Sequence, residues 1–436
     1  MKKRTIRNRL FIITKNYNII RIVLSLFFVS IFLFSCKNES DKNIELLSFC
    51  IENSPKIGSF ENETLYEGGF SGLVYIPNSD NEFYTVTDRG PNSQINDTLS
   101  SFHKILFPIP DYTQKIIRLK LVNDKFKIVS IHPIKDKNGA FVVGLPSHIE
   151  NDNQQELAYR NKDNQISNSK FLNFDFEGIT IHKNGNIWLA DEYRPALVEV
   201  DGKTFQIKQI ISPKKSNLQG HQFLDENFSK RRPNRGFEGI TVLPSGKVVA
   251  MLQSPIEKND SIDTLSSRLV RINYFDPKTK KSKVFGYEMN KDIYDPKIGD
   301  ITVINENELL VIEHGNIELE KVAYVYKINI QYATDISKIH LGEDKTFESL
   351  LNKSKAQYYG INLVEKELVM DLIEEGYQSK YGKPEGITVI DNQTIAISND
   401  NDYGIDKLDS KGQLIMNNHQ NCIFIFKSKK AFFGTH

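Results

Sequence analysis

Glu177-Gly-Ile-Thr-Ile181 recurs with small changes as Glu238-Gly-Ile-Thr-Val242, Gly299-Asp-Ile-Thr-Val303 and Glu385-Gly-Ile-Thr-Val389, and more loosely as Ser71-Gly-Leu-Val-Tyr75. Each copy runs through a turn into a second apolar stretch. Lys183-Asn-Gly-Asn186 leads to Ile187-Trp-Leu-Ala-Asp-Glu192, and Pro244-Ser-Gly-Lys247 leads to Val248-Val-Ala-Met-Leu252. Asn305-Glu-Asn-Glu308 leads to Leu309-Leu-Val-Ile-Glu-His314, and Asp391-Asn-Gln393 leads to Thr394-Ile-Ala-Ile-Ser-Asn-Asp400. Short β-branched runs joined by Asn, Gly, Asp and Ser are the signature of hairpins. Third strands follow at 115–121, 196–200, 268–272, 323–328 and 422–426, and fourth strands at 205–211 and 368–372. The inner strands are nearly continuous apolar runs, as strands covered on both faces must be.

Meanders of this kind at a regular spacing predict an all-β fold, a β-propeller of four-stranded antiparallel blades. The kernels lie 61, 62 and 85 residues apart, after a first gap of 106. Five units are visible, and the long gap holds either an insertion or a degenerate unit. The expectation is six blades, with five or seven as alternatives. Residues 345–366 read as a partly helical excursion. The strand-like segment Ile44–Ile51 is placed to close the ring beside 422–426, which would bring Cys50 near Cys422. Pairing of those cysteines as a disulfide and their persistence as two buried thiols both remain open on the sequence.

The 436 residues carry 56 Lys plus Arg against 55 Asp plus Glu, for a net charge of +1, with 39% apolar and 25% charged residues. Such a composition excludes wholesale disorder and a polytopic membrane protein. Charge is uneven along the chain. Residues 1–36 hold seven basic side chains and no acidic one, and their removal leaves −6. A mildly acidic body disfavours nucleic acid and suits cations. The uncharged run Ile22–Phe34, thirteen residues long, is short for a bilayer span of about 20 and fits a secretory signal. It ends Leu33-Phe34-Ser35-Cys36, which resembles the lipobox of bacterial lipoproteins; that likeness implies cleavage before Cys36 and its lipidation. The alternative is an uncleaved N-terminal anchor. The domain order expected is a signal peptide over 1–36, a polar tether over 37–43 and the propeller over 44–430. The protein would sit in the bacterial cell envelope, lipid-anchored, periplasmic or at the cell surface, and act as a monomer.

Antiparallel pairing puts the start of each first strand beside the end of the second. Acidic or polar residues occupy both places: Glu177 with Asp191 and Glu192, Glu238 with Gln253, Asp300 with Glu313 and His314, Glu385 with Asn399 and Asp400, and Ser71 with Asp88 and Arg89. On innermost strands these pairs would ring one mouth of the central channel. Clustered carboxylates repel one another, and a bound cation resolves the conflict. Oxygen donors without a cysteine set favour Ca²⁺, with Mg²⁺ as the alternative. Candidate metal ligands are Glu177, Glu238, Asp300, Glu385 and Asp88. Asp191, Glu313 and Asp400 are candidate general bases, and Arg89 and Arg235 candidate clamps for an anionic substrate. The bland alternative is structural: strand-end caps neutralised by Arg89 and Arg235. Gly69-Phe-Ser-Gly-Leu73 fails the Gly-x-Ser-x-Gly elbow at its last position, and neither a His-Glu-x-x-His motif nor P-loop spacing is present. His148 and His221 read as surface loop residues, and Trp188 as strand core.

Several stretches resemble the phytase-like family, named for an esterase-like activity of phytase. They are Gly69-Phe-Ser-Gly-Leu-Val-Tyr75 with Thr87-Asp-Arg-Gly-Pro-Asn92, Phe176-Glu-Gly-Ile179 with Ala190-Asp-Glu-Tyr193, Asn234-Arg-Gly-Phe-Glu-Gly-Ile240 with Leu252-Gln-Ser-Pro255, and Pro384-Glu-Gly-Ile387 with Ser398-Asn-Asp-Asn-Asp402. The resemblance spans roughly residues 63–428. It implies an exported propeller, a calcium-dependent hydrolase of phosphate or carboxylate esters acting on a small anionic substrate, and it leaves the catalytic positions open. A non-catalytic ligand- or protein-binding propeller and a lactonase are the competing expectations.

Overall fold

The computed structural model describes residues 43–95, 103–146, 156–166, 172–216, 218–256, 267–342 and 345–434. The expected signal peptide, Cys36, His148 and all but the last residue of the tether lie outside them. The chain opens with β1 (Ile44–Cys50) and a hairpin of β2 (Lys56–Phe60) and β3 (Glu63–Tyr66). Blade 1 follows as β4 (Phe70–Tyr75), β5 (Glu82–Thr87), β8 (Lys115–Val122) and β9 (Lys125–Pro133). The intervening β6 (Ser93–Ile95) and β7 (His103–Leu106) join β10 (Glu156–Asn161) and β11 (Asn164–Gln165) in a separate small sheet. Blade 2 is β12 (Phe176–Ile181), β13 (Ile187–Asp191), β14 (Ala196–Val200) and β15 (Ile207–Pro213), edged by β16 (His221–Leu224). Blade 3 is β17 (Phe237–Val242), β18 (Val248–Leu252), β19 (Leu269–Asp276) and β20 (Lys281–Glu288).

Blade 4 has longer strands: β21 (Tyr294–Val303), β22 (Glu308–Ile317), β23 (Glu320–Asn329) and, after the short helix α1 (Lys353–Tyr358), β24 (Glu365–Asp371). Blade 5 is β25 (Lys383–Asp391), β26 (Thr394–Asp400) and β29 (Cys422–Ser428), with the hairpin β27 (Ile405–Leu408) and β28 (Leu414–Met416) between the last two. Its outermost strand is β1, antiparallel to β29, so the N-terminal segment closes the ring as the sequence predicted. Cys50 and Cys422 are register partners in that ladder and form a disulfide across 372 residues of sequence.

Blade number is where expectation and structure part. The innermost strands β4, β12, β17, β21 and β25 pack in that order, and β25 returns to β4. Among the described residues the propeller therefore has five blades, one of the two alternatives to the six expected. The 106-residue gap holds no sixth blade among the described residues: β6, β7, β10 and β11 leave the ring, with one parallel pair (β7 and β10), while β4 and β12 touch directly.

The kernel explains the close fit at the axis. Each inner ladder shifts register at the kernel dipeptide, between Phe176 and Gly178, Phe237 and Gly239, Ile298 and Ile301, Pro384 and Gly386, and Ser71 and Leu73. Such bulges leave a residue unpaired and re-aim its side chain. The glycine serves the neighbouring blade: a Cβ on Gly178 would come within 2.9 Å of the Glu238 carbonyl oxygen, and one on Gly239 within 2.5 Å of the Ile301 nitrogen. The following Ile179, Ile240, Ile301 and Ile387 are buried between blades, each stabilising by about 2 kcal/mol. Trp188 is likewise core, 1% exposed.

Candidate active site

The first strands begin, and the second strands end, on one face of the ring, called the upper face below. A cavity of about 350 Å³ opens there. It gathers Asp88, Arg89, Glu177, Glu238, Glu385, Asp400 and Arg235, seven of the ten sequence candidates, and adds Glu156, Asp175, Glu192, Gln253, Lys297, Lys383 and Asp402. Nine carboxylates thus face four cations, an excess of negative charge held out of bulk water.

The acidic wall belongs to blade 2. Asp175, Glu177 and Glu192 each present a carboxylate oxygen, and these oxygens lie within 4.8 Å of one another. Asp175 is 1% exposed. Its Oδ1 accepts from the Arg89 backbone N–H at 3.0 Å, while its Oδ2 is buried without a hydrogen bond. The Gln253 amide donates to Glu192 at 2.9 Å and to Glu238 at 2.8 Å, bridging blades 2 and 3. Burial first, then neighbouring carboxylates, push Glu177, Glu192, Glu238 and Asp88 well above their ordinary range. Asp175 is raised to about 6 by burial against the opposing pull of Arg89. Without a counter-charge such a group must hold protons; a cation removes that need.

Across the cavity the chemistry reverses. Lys383 Nζ lies 2.9 Å from Asp400, 3.2 Å from Asp402 and 3.4 Å from Glu385. Burial opposes ionisation of Asp400, but Lys383 and the Asp402 N–H more than offset it, and its carboxyl stays low. Glu385 is raised by burial to about 7, and Asp402, for the same reason, to about 6. Arg89 is already engaged, pairing with Glu156 at 2.7 Å and bonding Asn234 at 3.0 Å. Arg235 pairs with Asp295 at 2.9 Å and keeps a buried Nη1 without a hydrogen-bond partner. Arg89 Nε also lies 3.7 Å from Asp175 Oδ2, so this arginine offsets part of the blade 2 wall, while among the described residues no ion pair reaches Glu177 or Glu192.

Three candidates lie elsewhere. Asp300 does not line the cavity. It takes the kernel place that is glycine in the other four blades, so its side chain points inward along the ring. Its carboxylate accepts the N–H groups of Ile301 at 2.7 Å and Ile387 at 2.9 Å, with further backbone donors at Leu73 and Ile240. Four inner strands thus converge on one buried side chain, whose pKa burial pushes well up. Asp191 lies fully buried beneath the site, accepting N–H groups of Asp175 at 2.9 Å, Tyr193 at 3.3 Å and Arg194 at 3.2 Å. It positions Asp175 and does not reach the cavity. Glu313 turns away from it, toward Tyr287, Lys366 and the Asn290 N–H, which belong to the outer parts of blades 3 and 4. Neither can act as a base on a molecule in this cavity.

Sequence reasoning missed Asp175, Lys297 and Lys383, though a signal for them exists. All three stand four residues before the kernel isoleucine of their blade, at Ile179, Ile301 and Ile387.

The chain belongs to the phytase-like family, described by its esterase-like activity of phytase; the family model matches residues 66–403. No curated protein matches the chain. Among solved structures it is similar to a luciferin-regenerating enzyme (8% identity, TM-score 0.36, covering 89% of this chain and 97% of that one). It is also similar to hydrazine synthase of Kuenenia stuttgartiensis (10%, 0.35, 79% and 80%) and to virginiamycin B lyase of Staphylococcus aureus (10%, 0.31, 88% and 99%).

Proposed function

We propose that this chain hydrolyses phosphate or carboxylate esters from the upper cavity, with a hard divalent cation, Ca²⁺ ahead of Mg²⁺, held by Asp175, Glu177 and Glu192. The observation that carries the reading is the buried Asp175 Oδ2, which accepts no hydrogen bond among the described residues and has Arg89 Nε only at 3.7 Å, beside two further carboxylates. The donor set fits the ion: all oxygen, multiply anionic, and free of sulfur and imidazole. When bound, the cation would polarise the ester's acyl or phosphoryl oxygen. The chain's own residues do the rest. Arg235 Nη1 and Lys297 are available to hold the substrate's anionic oxygens. Water adds to the acyl carbon or phosphorus as the bond to the alcohol oxygen breaks, and Glu385 is placed to take the proton that water loses and return it to the departing alkoxide. Asp400, held ionised, keeps Lys383 charged beside it.

Metal analysis of purified protein before and after chelation, set beside nitrophenyl phosphate, nitrophenyl ester and phytate assays with and without Ca²⁺, tests this. Bound calcium and activity lost together on chelation and in Asp175→Asn support it. Calcium without hydrolysis of any of the three substrates would return the molecule to the binding-propeller reading, and absence of both would end the proposal.

We also propose export and lipid anchoring at Cys36, in the cell envelope. The Cys50–Cys422 disulfide supports an oxidising compartment. Palmitate labelling that persists in Cys36→Ser would refute the anchor.

A further inference from the structure

Beside the acidic cavity, between blades 4 and 5, lies a second pocket of about 350 Å³. Lys297 and Lys383 line both and form the partition. The character of the second pocket is the opposite of the first. His314 and Lys321 add donors, while Ile373 and Tyr377 among others supply an apolar wall. Its only carboxylate among the described residues, Asp295, is taken by Arg235 at 2.9 Å.

Two donors here lack a partner. The Lys297 ammonium forms no hydrogen bond or ion pair among the described residues. Burial, then Arg235 and Lys383, lower its pKa against the weaker opposing pull of Glu385 and Glu238. His314 is 7% exposed, and its Nε2 is buried without a hydrogen bond, 4.0 Å from Glu385. Burial and the surrounding cations hold its imidazole well below the usual value, so the ring is neutral. A half-buried ammonium and a buried ring nitrogen that donates in its Nε2–H tautomer, both set beside an apolar wall, form a receptor for an anion that carries a hydrophobic body.

Resting on the hydrolase reading above, we propose that the second pocket binds the anionic end of an amphiphilic substrate, a carboxylate or phosphate on an aryl or short alkyl body, while the scissile ester faces the acidic cavity. The substrate class is then an ester with a second negative charge on an apolar arm. Small inorganic or fully polar esters would leave the apolar wall unused.

Calorimetric binding to the full chain with chelator present, where no turnover is needed, separates this claim from the hydrolase claim. Phenyl phosphate, benzoate, benzamide and inorganic phosphate are the probes. Phenyl phosphate or benzoate should bind, and whichever binds more tightly tells phosphate from carboxylate. Benzamide and inorganic phosphate should each bind about tenfold or more weakly, for want of the charge or the body. Lys321→Glu reverses an exposed charge belonging to the second pocket alone and should weaken both aryl anions by about tenfold. Ser379→Trp, at the exposed rim, should do the same by obstruction, and both variants should keep the wild-type thermal shift with Ca²⁺, which shows them folded. Equal binding of benzamide and benzoate, or wild-type affinity in both variants, overturns the proposal. Aryl anion binding without hydrolysis of any ester would uphold it while the hydrolase reading falls.

Discussion

Blades 2 and 4 carry the same kernel one residue out of step, and most of the molecule's chemistry follows from that slip. Blade 2 reads Glu177-Gly178 and places its carboxylate at the cavity mouth; blade 4 reads Gly299-Asp300 and places its own where the strands converge. Four residues before the kernel isoleucine, blade 2 has Asp175 and blade 4 has Lys297. One backbone template therefore presents an acidic wall on one side and a cationic wall on the other. The repeat fixes where side chains point, and substitution at two positions fixes what they do.

Asp300 should matter most. Asp300→Ala leaves backbone N–H groups of several blades without their acceptor, and urea unfolding should show a loss of about 3–5 kcal/mol. A loss under about 1 kcal/mol would mean that the convergence contributes little. Glu177→Gln should behave in the opposite sense. With chelator it should stabilise by about 1 kcal/mol through relief of repulsion. It should also abolish a calcium-dependent gain of about 2.7 kcal/mol, expected for wild type at roughly 100 times Kd. Thermal melts with and without Ca²⁺ read both effects, and destabilisation in chelator would break the contrast between the two blades.

The smallest effect is in pH. Glu385 at about 7 and Asp402 at about 6 lie above their ordinary values. The folded state thus binds protons more tightly than the unfolded one, so their contribution is present at low pH and lost as pH rises through 6 to 7. With chelator, the melting temperature should fall between about pH 5 and 8, and Glu385→Gln should flatten the slope. An unchanged slope in that variant would assign the effect to other groups.

The hairpins, the ring closure by Ile44–Ile51 and the gathering of Glu177, Glu238, Glu385, Asp88 and Asp400 on one face were legible in the sequence, because strand period and turn residues fix which edge each side chain reaches. Asp300 was misplaced because its copy was aligned on acidity and not on the Ile-Thr pair that sets the register. Asp191 and Glu313 stand one residue away from pocket-lining positions, Glu192 in the acidic cavity and His314 in the pocket beside it, and in a strand one residue reverses the face. The sixth blade failed for another reason: chain length in a gap says nothing about whether two inner strands already touch. The partners of Arg89 and Arg235 depend on Glu156 and Asp295, remote in sequence or outside the kernel, and no periodicity points to them.

The direction of β1 has a mechanical meaning. Ile44 pairs with Ser428 at the lower face and Cys50 with Cys422 at the upper one. Traction on the chain ahead of Ile44 would peel the ladder open pair by pair from below, and the covalent link at its far end would halt the tear before it reached the cavity.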